Sequence, residues 1–366
     1  MLPGKAVHYF PGGNTAEGFY SFFNDILRDM KRIFIIKGGP GTGKSTFIKK
    51  IGQEMIDKGY DIELLCCSGD TQSFDGVVIR KPGIAIVDGT APHIIDPTYP
   101  GVVDELINFG DIWDEDKLIQ HGPKIIHITS AIKERYGNAY FYLRNAKAVY
   151  EVIKELYIRG MDFERVHDIT DNIIGEVFPK SLNKNSKARH MFARAITHNG
   201  IISYCNELLA GVEKLYVLKG GAGIGKSTII QRMANKAMDN GYDIQYYHCA
   251  FNPKTLDMII LPELNVALAD GEYSHEVGIL DGTKYIEIDL LSCMDSEIYK
   301  NNKDKIRWLR QSFQILIEEA ISELYQAKKL HDDIEAYYID AMDFESLNSL
   351  NSKVLYKINK YLNDIN

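Results

Sequence analysis

Gly38-Gly-Pro-Gly-Thr-Gly-Lys44-Ser-Thr46 returns 182 residues later as Gly220-Gly-Ala-Gly-Ile-Gly-Lys226-Ser-Thr228. The same offset carries Gly59-Tyr-Asp-Ile62 onto Gly241-Tyr-Asp-Ile244, Asp75 onto Asp257, Asp88-Gly89 onto Asp270-Gly271 and His93 onto His275. Upstream it carries His8, Phe10, Thr15, Gly18 and Ser21 onto His190, Phe192, Thr197, Gly200 and Ser203. Near each end, Met161-Asp-Phe-Glu164 matches Met342-Asp-Phe-Glu345 at an offset of 181. Self-similarity of this reach means that one structural unit is built twice, so a fold proposed for residues 1–181 must also hold for 182–366. At 366 residues the chain is also longer than one hydrophobic core usually organises. The polar, proline-led run Pro179-Lys-Ser-Leu-Asn-Lys-Asn-Ser-Lys187 reads as the linker between the copies.

Within each unit the apolar pattern alternates between strand and helix. Arg32-Ile-Phe-Ile-Ile36 is short, apolar and rich in β-branched residues, which predicts a buried strand. After Lys44, Ile48, Ile51 and Met55 recur at helical spacing, and Gly59 stands where a helix stop belongs. Asp61-Ile-Glu-Leu-Leu-Cys66 and Ile84-Ala-Ile-Val87 read as further strands, with counterparts Asp243-Ile-Gln-Tyr-Tyr-His248 and Val266-Ala-Leu-Ala269. This order predicts an α/β fold with a mostly parallel sheet in each copy. Residues from about 128 to 178, and from about 306 onward, are apolar-periodic and broken near Gly160 and Asp340. They predict a C-terminal helical hairpin attached to its own copy. Thr15 with Glu17 and Gly18 resembles a helix start.

The repeated loop carries the chemistry. Gly38, Gly39, Gly41 and Gly43, with Thr42 between the last two, let the backbone curl so that its N–H groups converge on an anion. Lys44, Ser45 and Thr46 then open the helix, the lysine facing phosphate and the serine hydroxyl facing magnesium. Gly220, Gly221, Gly223, Ile224, Gly225, Lys226, Ser227 and Thr228 repeat the arrangement. Asp88 and Asp270 each end an apolar run 44 residues after the lysine, where a carboxylate supports the metal. The bland alternative is an acidic turn residue before glycine. Both aspartates precede glycine where vigorous ATPases often carry a glutamate, which argues against a fast motor. His93 and His275 are candidates to face the terminal phosphate or a substrate, against the plainer reading of hydrogen-bonded loop histidines. Asp96 and Asp104 follow His93 in the first copy alone. Arg189 and Arg194 flank the linker and offer a cation that one copy would insert into the other's phosphate site.

Composition narrows the partners. A net charge of −8 disfavours nucleic acid. The opening Met1-Leu-Pro-Gly-Lys5 lacks a secretory apolar core, and no apolar run approaches the roughly 20 residues that span a bilayer. A cytoplasmic protein with no membrane partner is expected. The five cysteines form no Cys-x-x-Cys pair and read as reduced core residues.

These motifs resemble the P-loop NTPase superfamily. The doubled pattern, with Phe10-Pro-Gly-Gly-Asn-Thr15 and Asp88-Gly-Thr-Ala-Pro-His93, resembles a poorly characterised bacterial family of tandem P-loop ATPase-like proteins. The resemblance implies ATP and Mg2+ as ligands. GTP is disfavoured because no Asn-Lys-x-Asp segment follows either loop. The leading expectation is slow Mg-dependent ATP hydrolysis coupled to rearrangement of two domains, 1–181 and 182–366, packed as an intramolecular pseudo-dimer. A small-molecule kinase and a non-enzymatic nucleotide-dependent scaffold with a protein partner are the alternatives.

Overall fold

The computed structural model describes residues 3–271 and 282–365, so His275 lies outside the described residues. The first copy runs β1 (Ala6–Tyr9), β2 (Gly12–Thr15), β3 (Gly18–Ser21), α1 (Phe23–Ile26), β4 (Arg32–Lys37), α2 (Lys44–Asp57) and β5 (Ile62–Cys66). It continues with β6 (Phe74–Ile79), β7 (Ile84–Asp88), β8 (Asp104–Asn108), α3 (Glu115–Gln120), α4 (Gly122–Ile158) and α5 (Phe163–Val177). The second copy begins β9 (Ala188–Met191), β10 (Arg194–Thr197), β11 (Gly200–Ser203), α6 (Cys205–Leu208), β12 (Lys214–Lys219), α7 (Lys226–Asp239) and β13 (Ile244–His248). It ends with β14 (Leu256–Leu261), β15 (Val266–Asp270), β16 (Lys284–Asp289), α8 (Ser296–Ala341) and α9 (Phe344–Ile365).

Each copy holds a six-stranded sheet, β1-β5-β6-β7-β4-β8 in the first and β9-β13-β14-β15-β12-β16 in the second. Only β6 and β14 run antiparallel to their neighbours, so the expected α/β, mostly parallel architecture is present. Strand β4, paired on both sides by β7 and β8, is buried from Arg32 to Ile36, which explains its unbroken apolar run. Among the described residues no helix is long and apolar enough to cross a membrane.

The helical hairpins correct the sequence expectation. At about 1.5 Å per residue, the 37 residues of α4 extend about 55 Å, far past their own sheet. Helix α8, with 46 residues, runs antiparallel beside α4 in the opposite sense. The break at Gly160 therefore falls at the second copy, and the break after Ala341 falls at the first. Trp113 bridges Met342, and the equivalent Met294 bridges Met161. Asp114 N–H donates to Ala341 O, and Asp295 N–H to Gly160 O, both at 2.8 Å. In consequence α9 buries Leu347, Val354, Ile358 and Leu362 against Phe34, Ile36 and Ile48 of the first copy. Reciprocally, α5 buries Val166, Ile173 and Val177 against Leu218, Ile229 and Met233 of the second. Each hairpin thus completes the core of the other copy.

A further core lies between the copies, where Phe10, Phe22 and Phe23 meet Met191, Phe192 and Leu209. Thr15 does not start a helix. It sits in the β2–β3 hairpin, its Oγ1 donating to Gly18 O at 2.8 Å and accepting from Glu17 N–H at 3.0 Å. The two glycine-turned strands make this the cheaper local solution, with Gly18 at φ +96°.

Candidate functional site

Each glycine loop joins the C-terminal end of an interior strand, β4 or β12, to a 14-residue helix. Gly41 and Gly43 take φ of +71° and +90°, and Gly223 and Gly225 take +79° and +102°, values that side chains with a Cβ rarely adopt. The loop can therefore curl tightly and enter α2 or α7 directly at the lysine.

Parallel pairing places the acids. β7 lies beside β4 with Asp88 opposite Ile36, and β15 lies beside β12 with Asp270 opposite Leu218. Lys44 Nζ stands 3.6 Å from Asp88 Oδ2 and donates to Gly38 O at 3.0 Å and Gly39 O at 2.6 Å. Lys226 Nζ stands 3.4 Å from Asp270 Oδ1 and donates to Gly220 O and Gly221 O at 2.5 and 3.0 Å. Thr42 Oγ1 donates to Gly39 O at 2.8 Å, whereas Ile224 at the same position is wholly buried. Ser45 Oγ accepts from Phe74 N–H at 3.0 Å, while Ser227 Oγ donates to Leu256 O at 3.5 Å. Thr46 and Thr228 are exposed on the first helical turn.

After the acid the chain is crowded. A Cβ added at Gly89 would lie 2.6 Å from Ile35 Cγ2 and 2.9 Å from Ile95 O, and one at Gly271 would strike Val217. A side chain at either position would have to displace these neighbours. Asp88 instead accepts from the N–H of Thr90 at 2.9 Å and from its hydroxyl.

His93 is sealed in at 5% side-chain exposure, stacked on Phe23, with Nε2 at 3.8 Å from Asp75 Oδ1. Among the described residues neither ring nitrogen has a hydrogen-bond partner. Burial holds the Asp75 carboxyl above its usual range, and the charge of Asp88 adds to this, against the opposing pull of His93. Position 75 carries a signal that residue patterns alone leave without a role: its recurrence as Asp257. There the carboxylate has a different neighbour, Arg194 at 3.3 Å, both side chains almost fully buried. The first copy has Gly12 where Arg194 stands.

Other candidates are drawn elsewhere. Asp96 bonds Lys37 Nζ at 2.9 Å, and Asp104 Oδ2 accepts from Thr98 and Tyr99 N–H at 2.8 and 2.6 Å, closing a turn. Neither is given to a cluster with His93. Arg189 does cross between copies, but to Glu63 at 2.7 Å rather than to a glycine loop. Burial pushes the Cys66 thiol up to about 12, and those of Cys67 and Cys249 well above the ordinary range, in keeping with inert core roles.

The crossed hairpins roof both loops. A Cβ at Gly39 would meet Tyr338 Cδ1 at 2.6 Å, and one at Gly41 would meet Glu335 O at 2.9 Å. In the second copy, Gly221 faces Tyr157 Cζ at 2.5 Å and Gly223 faces Lys154 O at 2.6 Å. Tyr157 and Tyr338 are equivalent at the 181 offset, a match that the sequence holds but that gains meaning only from the crossing.

In comparisons with known proteins, no family model, curated protein or solved structure matches the chain. The likeness to P-loop NTPases therefore rests on the motifs and their geometry alone.

Proposed function

We propose that this is a tandem P-loop nucleotide-binding protein that takes ATP with Mg2+ and hydrolyses it slowly, its two copies rearranging with nucleotide state. The observation that carries the reading is a constellation built twice. A left-handed glycine loop opens a helix, and its lysine is 11% exposed in one copy and 5% in the other. A carboxylate lies 3.6 or 3.4 Å from that ammonium. Enclosed cations beneath helix N-termini suit a polyanion.

In this reading the amides of Gly39 and of Gly41 to Lys44 and the start of α2 cradle phosphates, Lys44 neutralises them, and Ser45 and Asp88 hold the metal. Gly221 to Lys226, Ser227 and Asp270 act alike in the second copy. Bound magnesium supplies charge neutralisation at the terminal phosphate. ATP is preferred to GTP for want of a guanine-reading segment. Slow turnover is the reading because glycine, not an acid that could orient water, follows each aspartate, at positions where a Cβ would crowd Ile35 or Val217. Rearrangement follows from the roofs, since each loop moves only against the other copy's helices.

A second reading, a nucleotide-dependent scaffold without turnover, draws on those same roofs over both loops. Steady-state phosphate release separates the two. The hydrolytic reading predicts Mg-dependent release below about one per second, lost in the Asp88→Asn, Asp270→Asn double variant. Equal release from both proteins would refute hydrolysis at these sites, and ATP uptake without release would select the scaffold.

A further inference from the structure

The two roofs are built from equivalent helices but carry opposite charge. At the 181 offset Lys154 corresponds to Glu335, and Arg310 to Thr129. Lys154 lies across the middle of the second loop, its Cγ 2.7 Å from where a Cβ of Gly223 would be. Glu335 occupies the same place over the first loop, its Cβ 3.1 Å from that of a side chain at Gly41. The ammonium of Lys154 is held by Glu151 at 3.1 Å, one helical turn away and within a lysine's reach of the loop. Arg310 of α8 adds a second cation to this roof, donating to Tyr157 OH at 3.2 Å, while the ring of Tyr157 rests on Gly221.

Over the first loop the balance is reversed. Glu335 sits 3.4 Å from His331, whose ring burial keeps below its ordinary pKa, so it offers the carboxylate little charge at neutral pH. Lys328 is shared between Asp332 and Asp70.

We infer that the two sites are inequivalent: Lys154, carried across from the first copy, is a phosphate-binding cation of the second site, while Glu335 sets a carboxylate over the first. A magnesium-bound triphosphate is then taken up first by the second copy's loop. The cation supplied in trans is neither Arg189 nor Arg194, which are committed to Glu63 and Asp257. This inference rests on the triphosphate reading of the loops, and it gives a role to the one difference it concerns: the duplication keeps the lysine, serine and aspartate of both sites and a tyrosine above each loop, but sets Lys154 over one and Glu335 over the other.

Titration of the full chain with Mg2+ and a non-hydrolysable ATP analogue tests it. The wild type should show two classes of site, with Lys226→Ala removing the tighter and Lys44→Ala the weaker. Lys154→Glu should weaken the tighter class about tenfold, Lys154→Arg should preserve it, and Glu335→Lys should tighten the weaker class by a similar factor. Lys154 and Glu335 are 41% and 30% exposed, so these variants should melt as the wild type does. If Lys154→Glu and Glu335→Lys leave both constants within about twofold while Lys44→Ala and Lys226→Ala still remove one class each, the inference is overturned and the triphosphate reading survives. If the two alanine variants remove nothing, both fall together.

Discussion

Phe10 and Phe192 are the same position in the two copies, and each donates its backbone N–H to the other's carbonyl, at 2.9 and 3.0 Å. Pairing of a residue with its own equivalent marks a local twofold relation. The crossed hairpins obey the same relation, Trp113 meeting Met342 where Met294 meets Met161. The copies are therefore joined at two levels, by a central seam and by exchanged helices.

Exchange makes each copy depend on the other for folding. Residues 1–181 made alone lack Leu347, Val354, Ile358 and Leu362, each contributing about 1.5–3 kcal/mol by burial. Neither 1–181 nor 182–366 should then show a cooperative thermal transition alone, while mixing them should restore a 1:1 complex with native near-ultraviolet circular dichroism. Independent cooperative melting of either half at the full chain's temperature would count against the exchange.

The contact between roof and loop can be measured as a coupling. Gly39 has no left-handed φ, so alanine there meets no backbone strain, only the edge of the Tyr338 ring, Cε1 and Cδ1. Gly39→Ala should cost about 1–3 kcal/mol in denaturant unfolding. In the Tyr338→Ala background the same change should cost less by at least about 0.5 kcal/mol. Strict additivity would place Tyr338 away from the loop.

Stability should also fall on mild acidification through the seam. His248, packed on Phe22 at 4.4 Å, bonds His190 at 2.8 Å and the Pro253 carbonyl at 2.7 Å. Burial lowers its pKa from 6.5 to about 4. The unfolded chain therefore takes up a proton that the folded chain refuses, so this stability is full above pH 6.5 and declines as pH falls toward about 4. His248→Asn should flatten that slope in denaturant melts between those limits. An unchanged slope would mean that other groups set it.

The sequence made some of this legible and not the rest, for physical reasons. Strands β4, β5 and β7 are buried on both faces and announce themselves as apolar runs. β8 lies at the sheet edge with mixed exposure, and β6 carries the buried Asp75 and a close-packed Gly76 after its first residue, Phe74, so neither gives a clean pattern. Lys44 and Asp88 were readable because their spacing recurs, and the structure brings them together. The hairpins announced helix but not destination, because an apolar stripe fits the same surface on either copy. Only the length of α4 and α8 decides, and with it the identity of the residues above each loop.

The most direct measurement is the stoichiometry of Mg-ATP binding by calorimetric titration of the full chain. Two molecules per chain are predicted for the wild type, one for Lys44→Ala or Lys226→Ala, and none for the double variant. A correctly folded double variant that binds as the wild type does, or a wild type that binds none, would contradict the account.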